Sequence, residues 1–189
     1  MINASTQFKQ NLGKIPLSTY LVITLSDNTV LNITDSDICV GGFKISDGVT
    51  ESGEFTVGGC IVNKLTVTLD DSDETYVKYD FFEAKVIAYV GMTLPDGTIE
   101  KLKKGVFTVD ETSYDGELIT LECLDNMSKL DEPYSDIKTT YPATIGNIIR
   151  DICQGCSVVL NTATYDGSSI TIQKRPDSDS TTCRQVLSY

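Results

Sequence analysis

The chain has 189 residues, a net charge of −12 and no histidine or tryptophan. Its hydrophobic content, 40%, is enough for a real core, while the lack of any run of about 18 apolar residues argues against a membrane-spanning helix. Without histidine, every Ser-His-Asp and Cys-His arrangement within the chain is excluded, and an acidic surface repels phosphate backbones and anionic lipid, so neither nucleic acid nor membrane is an expected partner.

The charge is unevenly spread. Residues 1–138 carry 11 basic and 23 acidic side chains, whereas 139–189 carry four of each. Met1 to Gly13 is polar, so no secretory leader is expected. The six cysteines are Cys39, Cys60, Cys123, Cys153, Cys156 and Cys183. A chain of this size does not need disulfide staples, and reduced thiols are the expectation.

In chain order, Met1 to Lys14 shows neither periodicity and reads as a flexible or partner-binding arm. Tyr20–Leu25 and Thr29–Ile33 are β-branched and aromatic-rich, with Ser26-Asp27-Asn28 between them, which predicts a hairpin. Ile38–Ser46 reads as a third strand, bulged at Gly41-Gly42. Glu54–Val57 is a short strand ended by Gly58-Gly59. Cys60–Asp70 is the clearest strand, with Leu65, Val67 and Leu69 alternating against Lys64, Thr66, Thr68 and Asp70. Phe82–Gly91 is apolar on both faces, as expected of a central strand or one that meets another subunit.

Pro95-Asp96-Gly97 predicts a turn. Thr98–Lys101, Gly105–Ser113 and Glu117–Leu124 read as further strands, the last two joined at Asp115-Gly116. In the last of them Cys123 is expected to act as a small core hydrophobe. Asp125 caps a predicted short helical turn. Thr144 then caps a helix with Ile145, Ile148, Ile149, Ile152, Cys153 and Cys156 on one stripe, stopping at Gly155. Ser157–Leu160 and Ile170–Lys174 are predicted strands, and a second helix begins near Ser180. The chain ends inside it, as expected of a piece of a longer domain. The fold expectation is therefore mainly β, α+β overall. Residues 1–138 form an antiparallel β-barrel, and 139–189 form an incomplete α/β domain of helix, strand, strand and helix.

Candidate chemistry is sparse. Asp70-Asp71-Ser72-Asp73-Glu74 is the densest carboxylate run and has the oxygens that Ca²⁺ wants, but it lacks the spacing of a calcium loop and reads as a solvated turn. Cys153-Gln-Gly-Cys156 has the spacing of a redox or zinc pair. It sits at the wrong end of a helix for the first and lacks two more ligands for the second, so packed thiols are expected. No spacing singles out a pair of acids for glycoside hydrolysis. No catalytic, cofactor-binding or metal-binding residue is assigned.

One series of segments does carry a likeness. Phe55-Thr-Val-Gly-Gly-Cys-Ile-Val-Asn-Lys-Leu, Leu69-Asp, Tyr79-Asp-Phe-Phe-Glu-Ala-Lys, Asp96-Gly-Thr, Gly105-Val-Phe-Thr-Val-Asp and Asp125-Asn-Met follow one another in an order that resembles the baseplate or tail hub proteins of bacteriophages and prophages. Tyr141-Pro-Ala-Thr-Ile-Gly and Thr182-Cys-Arg-Gln-Val-Leu are similar to helix starts in such proteins. The likeness lies in order and spacing across about 140 residues. It implies the hub fold shared with contractile injection systems and type VI spike bases, in which three chains form a ring joining tail tube to spike. The implied partners are copies of the chain itself, the tail tube and spike or tail-tip proteins. The implied location is the virion tail, after synthesis in the host cytoplasm, and the implied role is adaptor work without enzymatic activity or cofactor. A cell-surface adhesion or carbohydrate-binding β-module is the alternative.

Overall fold

A computed structural model describes residues 4–46, 48, 61–160, 165–176 and 181–188. The fold is mainly β with a few short helices. Two compact units emerge, one from residues 1–47 with 63–125 and the other from 48–62 with 126–189. The predicted strand Glu54–Val57 and the pair Gly58-Gly59 lie outside the described residues.

The first unit begins with α1 (Thr6–Asn11), where an arm is the sequence expectation. Ser5 Oγ accepts the Phe8 N–H at 3.0 Å and so caps it. Phe8 is buried with Met92 and Leu94, backed by Ala4, Ile15 and Leu102. The expectation fails because a six-residue helix with one buried side chain has no period to detect.

Seven strands follow: β1 (Ser18–Thr24), β2 (Val30–Thr34), β3 (Ile38–Ser46), β4 (Lys64–Asp70), β5 (Lys85–Thr93), β6 (Ile99–Asp115) and β7 (Leu118–Asp125). They make one antiparallel sheet in the order β2-β1-β5-β6-β7-β4-β3. The predicted hairpins and alternation hold: Leu65, Val67 and Leu69 are all fully buried. The predicted strands Thr98–Lys101 and Gly105–Ser113 are one continuous β6. An extra residue, Lys104, lies between the pairs Tyr89–Lys103 and Ala88–Gly105 and shifts the phase.

The sheet curls around the larger of this unit's two apolar clusters. Leu21 and Ile23 (β1), Ile33 (β2), Leu65, Val67 and Leu69 (β4), Val86 and Ala88 (β5), Phe107 and Val109 (β6), and Ile119, Leu121 and Cys123 (β7) pack together, and Ile38, Phe43 and Ile45 of β3 pack against them. Each fully buried aliphatic of this set contributes about 1.5–3 kcal/mol.

The expected barrel does not close. β2 and β3 stand at opposite ends of the sheet order and share no ladder, although only the 3₁₀ turn Asp35–Asp37 separates them in sequence. Two features keep them apart. The Thr34 N–H, at the end of β2, goes to the Asp37 carboxylate at 2.8 Å instead of to a strand. The start of β3 bulges between Ile38 and Phe43, as Gly41-Gly42 predicts. Gly41 adopts φ +76° there, a conformation costly for other residues, and the adjoining Val40 is fully exposed.

The second unit holds 3₁₀ turns at Ser128–Asp131 and Tyr134–Asp136, β8 (Ala143–Thr144), α2 (Ile145–Gly155), β9 (Thr171–Ile172) and α3 (Cys183–Leu187). The predicted helical turn after Asp125 is the 3₁₀ turn at Ser128–Asp131. Asp125 itself ends β7 and accepts from Asn63 Nδ2 at 2.8 Å. Thr144 caps α2 as expected, accepting the Asn147 N–H at 3.2 Å. Thr182 and Gln185 form a reciprocal capping box at α3. The second predicted strand survives only as the two-residue β9, paired with β8. The first, Ser157–Leu160, is not a strand. Ser157 turns left-handed at φ +55° just past α2, and the Val158 N–H folds back to the Cys153 carbonyl at 2.7 Å.

Candidate functional site

The acidic run is the first place to look for chemistry. It opens the long link from β4 to β5, and its carboxylates are spent on backbone. Asp71 is buried and accepts the N–H groups of Tyr76 at 2.6 Å and Val77 at 2.8 Å. Asp70 accepts from Ser72 N–H and Asp73 from Thr75 N–H, both at 3.1 Å, which are local turns of the kind short acidic side chains favour. Among the described residues, no group of three or more Cys, Asp and Glu side chains is placed to hold a metal ion.

The folded link presents Tyr76, whose Oη donates to Asp37 Oδ1 at 2.9 Å. That bond ties the link to the turn between the two edge strands. Burial raises the Asp37 carboxyl, but the bonds from Thr34 N–H, Thr34 Oγ1 and Tyr76 outweigh it and hold the group below its ordinary range. Burial, and then the Asp37 bond and charge, push the Tyr76 phenol above its ordinary range.

In the second unit Cys153 and Cys156 are both buried. Burial raises Cys153, and Cys156 adds to the shift. Cys183 is pushed up to about 12 by burial and a hydrogen bond with Cys156. Raised, enclosed thiols are poor nucleophiles. Cys123 is likewise pushed up to about 12 by burial within the sheet core. The described cysteines, Cys39, Cys123, Cys153, Cys156 and Cys183, are free thiols; Cys60 lies outside the described residues.

A cavity of about 390 Å³ in the second unit is lined by Lys129, Glu132, Asp136, Ile137 and Cys156 among others. Nearby, Arg175 lies over the Tyr134 ring at 4.4 Å and donates to the carbonyls of Tyr134 and Ile137. Its guanidinium is therefore spent on structure. Sequence reasoning missed this residue, because nothing in Lys174-Arg175-Pro176 announces a backbone target 38 residues away.

What remains is surface. Among the described residues β2 and β3 are the end strands of the sheet, and end strands are the usual template for pairing with another chain. The outer face of β2, β1, β5 and the start of β6 is the other candidate. Tyr20, Tyr89 and Lys103 stand in one cross-strand row, and Val22, Ile87 and Val106 in the next. These Tyr, Val and Ile side chains are half-buried. The doubly apolar strand of the sequence is thus β5, central in the sheet, with Ile87 and Tyr89 on its outer side. At Gly91 a Cβ would fall 2.4 Å from the Glu100 carbonyl oxygen and 3.2 Å from the Tyr20 ring. The Tyr20 ring lies beside that position and meets Lys101 Nζ at 4.1 Å, a cation–π contact.

No family model matches the chain, and no curated protein matches it. Among solved structures, the chain is similar to one chain in the virion of a native gene transfer agent (GTA) particle. The TM-score is 0.50 at 15% identity, over 74% of this chain and 50% of that one. The likeness is one of fold, and this protein spans about half the length of its counterpart.

Proposed function

We propose that this chain is a structural component of a phage or phage-like tail. In this reading it is a baseplate or tail-tip hub whose copies form a ring, three to a ring when full length, that adapts tail tube to spike. It works by assembly and not by catalysis, in the virion tail, with itself, the tube and the spike or tip proteins as partners. The observation that carries the reading is the fold likeness to a chain of a gene transfer agent virion. Two properties of the sheet support it. Among the described residues the sheet ends in two edge strands, β2 and β3, and one outer face is aromatic, aliphatic and basic on a chain of net charge −12.

The test is to induce the host that carries the gene, purify tailed particles on a density gradient and identify their proteins by mass spectrometry. The reading expects this protein at a few copies per particle, co-sedimenting with tube subunits. Its absence from intact particles, with abundant free protein in the lysate, would overturn the reading.

A further inference from the structure

The outer face formed by β2, β1, β5 and the first half of β6 departs from the acidic character of residues 1–138. Reading across its registers, the side chains are Val30, Asn32 and Thr34, then Ser18, Tyr20, Val22 and Thr24, then Lys85, Ile87 and Tyr89, then Lys101, Lys103, Val106 and Thr108. None of these is acidic, on a chain with 27 carboxylates and 15 lysines and arginines. Lys104, the bulge residue, is exposed beside them. The face is therefore an apolar and aromatic centre flanked by lysines, and it runs to the end strand β2.

The acids collect elsewhere in the same unit. The link between β4 and β5 carries exposed Asp73, Glu74, Asp80 and Glu83, and the β6–β7 turn carries exposed Asp115 and Glu117. These two segments are joined, since the Asp71 N–H donates to the Glu117 carbonyl at 2.7 Å. They make one acidic rim.

We infer that the lysine-flanked face of one copy receives the acidic rim of the next copy. The inference rests on the ring reading above and names the surfaces through which copies meet. Two different patches are engaged, so the contact is head-to-tail, the kind that generates rings when the rotation closes. The half-buried Tyr20, Val22, Ile87 and Tyr89 would lose their remaining water at its centre, and the lysines would steer and orient the approach.

The experiment is sedimentation velocity on the full-length protein over a range of concentration and salt. The parent is expected to self-associate, and to do so less as salt rises. Lys103→Glu with Lys104→Glu is expected to weaken association by about 100-fold or more; it spares Lys101, whose stacking on Tyr20 contributes to folding. Asp115→Lys with Glu117→Lys is expected to do the same. Each variant alone sets like charges against each other, whereas every junction between the two variants is complementary, so mixing them is expected to restore association in alternating order, and combining all four changes in one chain is expected to restore it within that chain. Circular dichroism melting shows whether each variant is folded. A parent that stays monomeric at every concentration overturns the ring reading and this surface together. A parent that assembles equally well with either reversal overturns the surface alone.

Discussion

Asp71 offers the sharpest test of how the acidic run works. Its carboxylate is buried and takes two backbone N–H groups, from Tyr76 and Val77, at 2.6 and 2.8 Å. Asp71→Ala removes two charge-assisted bonds, each contributing about 1.5–3 kcal/mol, and strands two donors. Partial entry of water reduces the sum to about 3 kcal/mol. For a chain of this size about 2–4 °C of melting temperature is lost per kcal/mol, so a fall of about 6–12 °C is expected. Differential scanning calorimetry of parent and variant, with and without millimolar Ca²⁺, gives the answer. The reasoning also requires that Ca²⁺ leave the parent unchanged, because Asp70, Asp71 and Asp73 are already occupied by backbone. A variant melting within 2 °C of the parent, or a parent stabilised by Ca²⁺ and a variant not, would refute the anchor role (about 0.5–1 kcal/mol being the resolution of that comparison).

Three other outcomes are expected. Tyr76→Phe loses the bond to Asp37, at a cost of about 1.5–3 kcal/mol, seen as a lower urea midpoint. It also changes the alkaline limb. The folded-state phenol is raised, so its contribution is complete below the unfolded pKa of about 10 and is lost as pH rises above it. A plot of melting temperature against pH should therefore fall less steeply above pH 10 in the variant, with Tyr141, also raised by burial and its Tyr134 bond, supplying the remaining slope. Leu121→Ala opens a cavity in the sheet core, where Leu121 is fully buried, and is expected to cost about 3–5 kcal/mol in a denaturant titration. Ser5→Ala removes the cap on Phe8 N–H and the hydroxyl's bond to Glu100, while the Ser5 N–H bond to Glu100 is kept. Loss of about 1–2 kcal/mol at α1 should appear as faster limited proteolysis within residues 4–14, with the sheet intact.

The strands were legible because burial on one side writes a period of two into the chain. Leu65, Val67 and Leu69 alternate in sequence and are buried in the structure. Gly41-Gly42 was legible as a bulge for a similar local reason, that few other residues accept such a backbone. The misses share a cause of another kind. Lys104 is an extra residue that shifts the phase of β6, so one strand of 17 residues reads as two. Ser157–Leu160 has the β-branched content of a strand, but the helix end before it turns left-handed and takes its first amide back. Closure of the barrel depends on whether β2 and β3 find each other, and the bond between Thr34 and Asp37 that replaces their pairing is tertiary geometry.

The candidate surface was partly legible too. The apolar outer side of Ile87 and Tyr89 could be read from alternation. Its extent could not, because Tyr20, Tyr89 and Lys103 come together only through the registers of β1, β5 and β6. The stacking of Lys101 on Tyr20 depends on the same registers.

On the reading proposed above, this protein acts by assembling with copies of itself into a tail ring. Light-scattering mass of the full-length protein, with negative-stain electron microscopy of the same sample, tests it most directly. Closed rings with a mass of three chains are predicted. A single mass equal to one chain at every concentration, with no rings in the images, would contradict it.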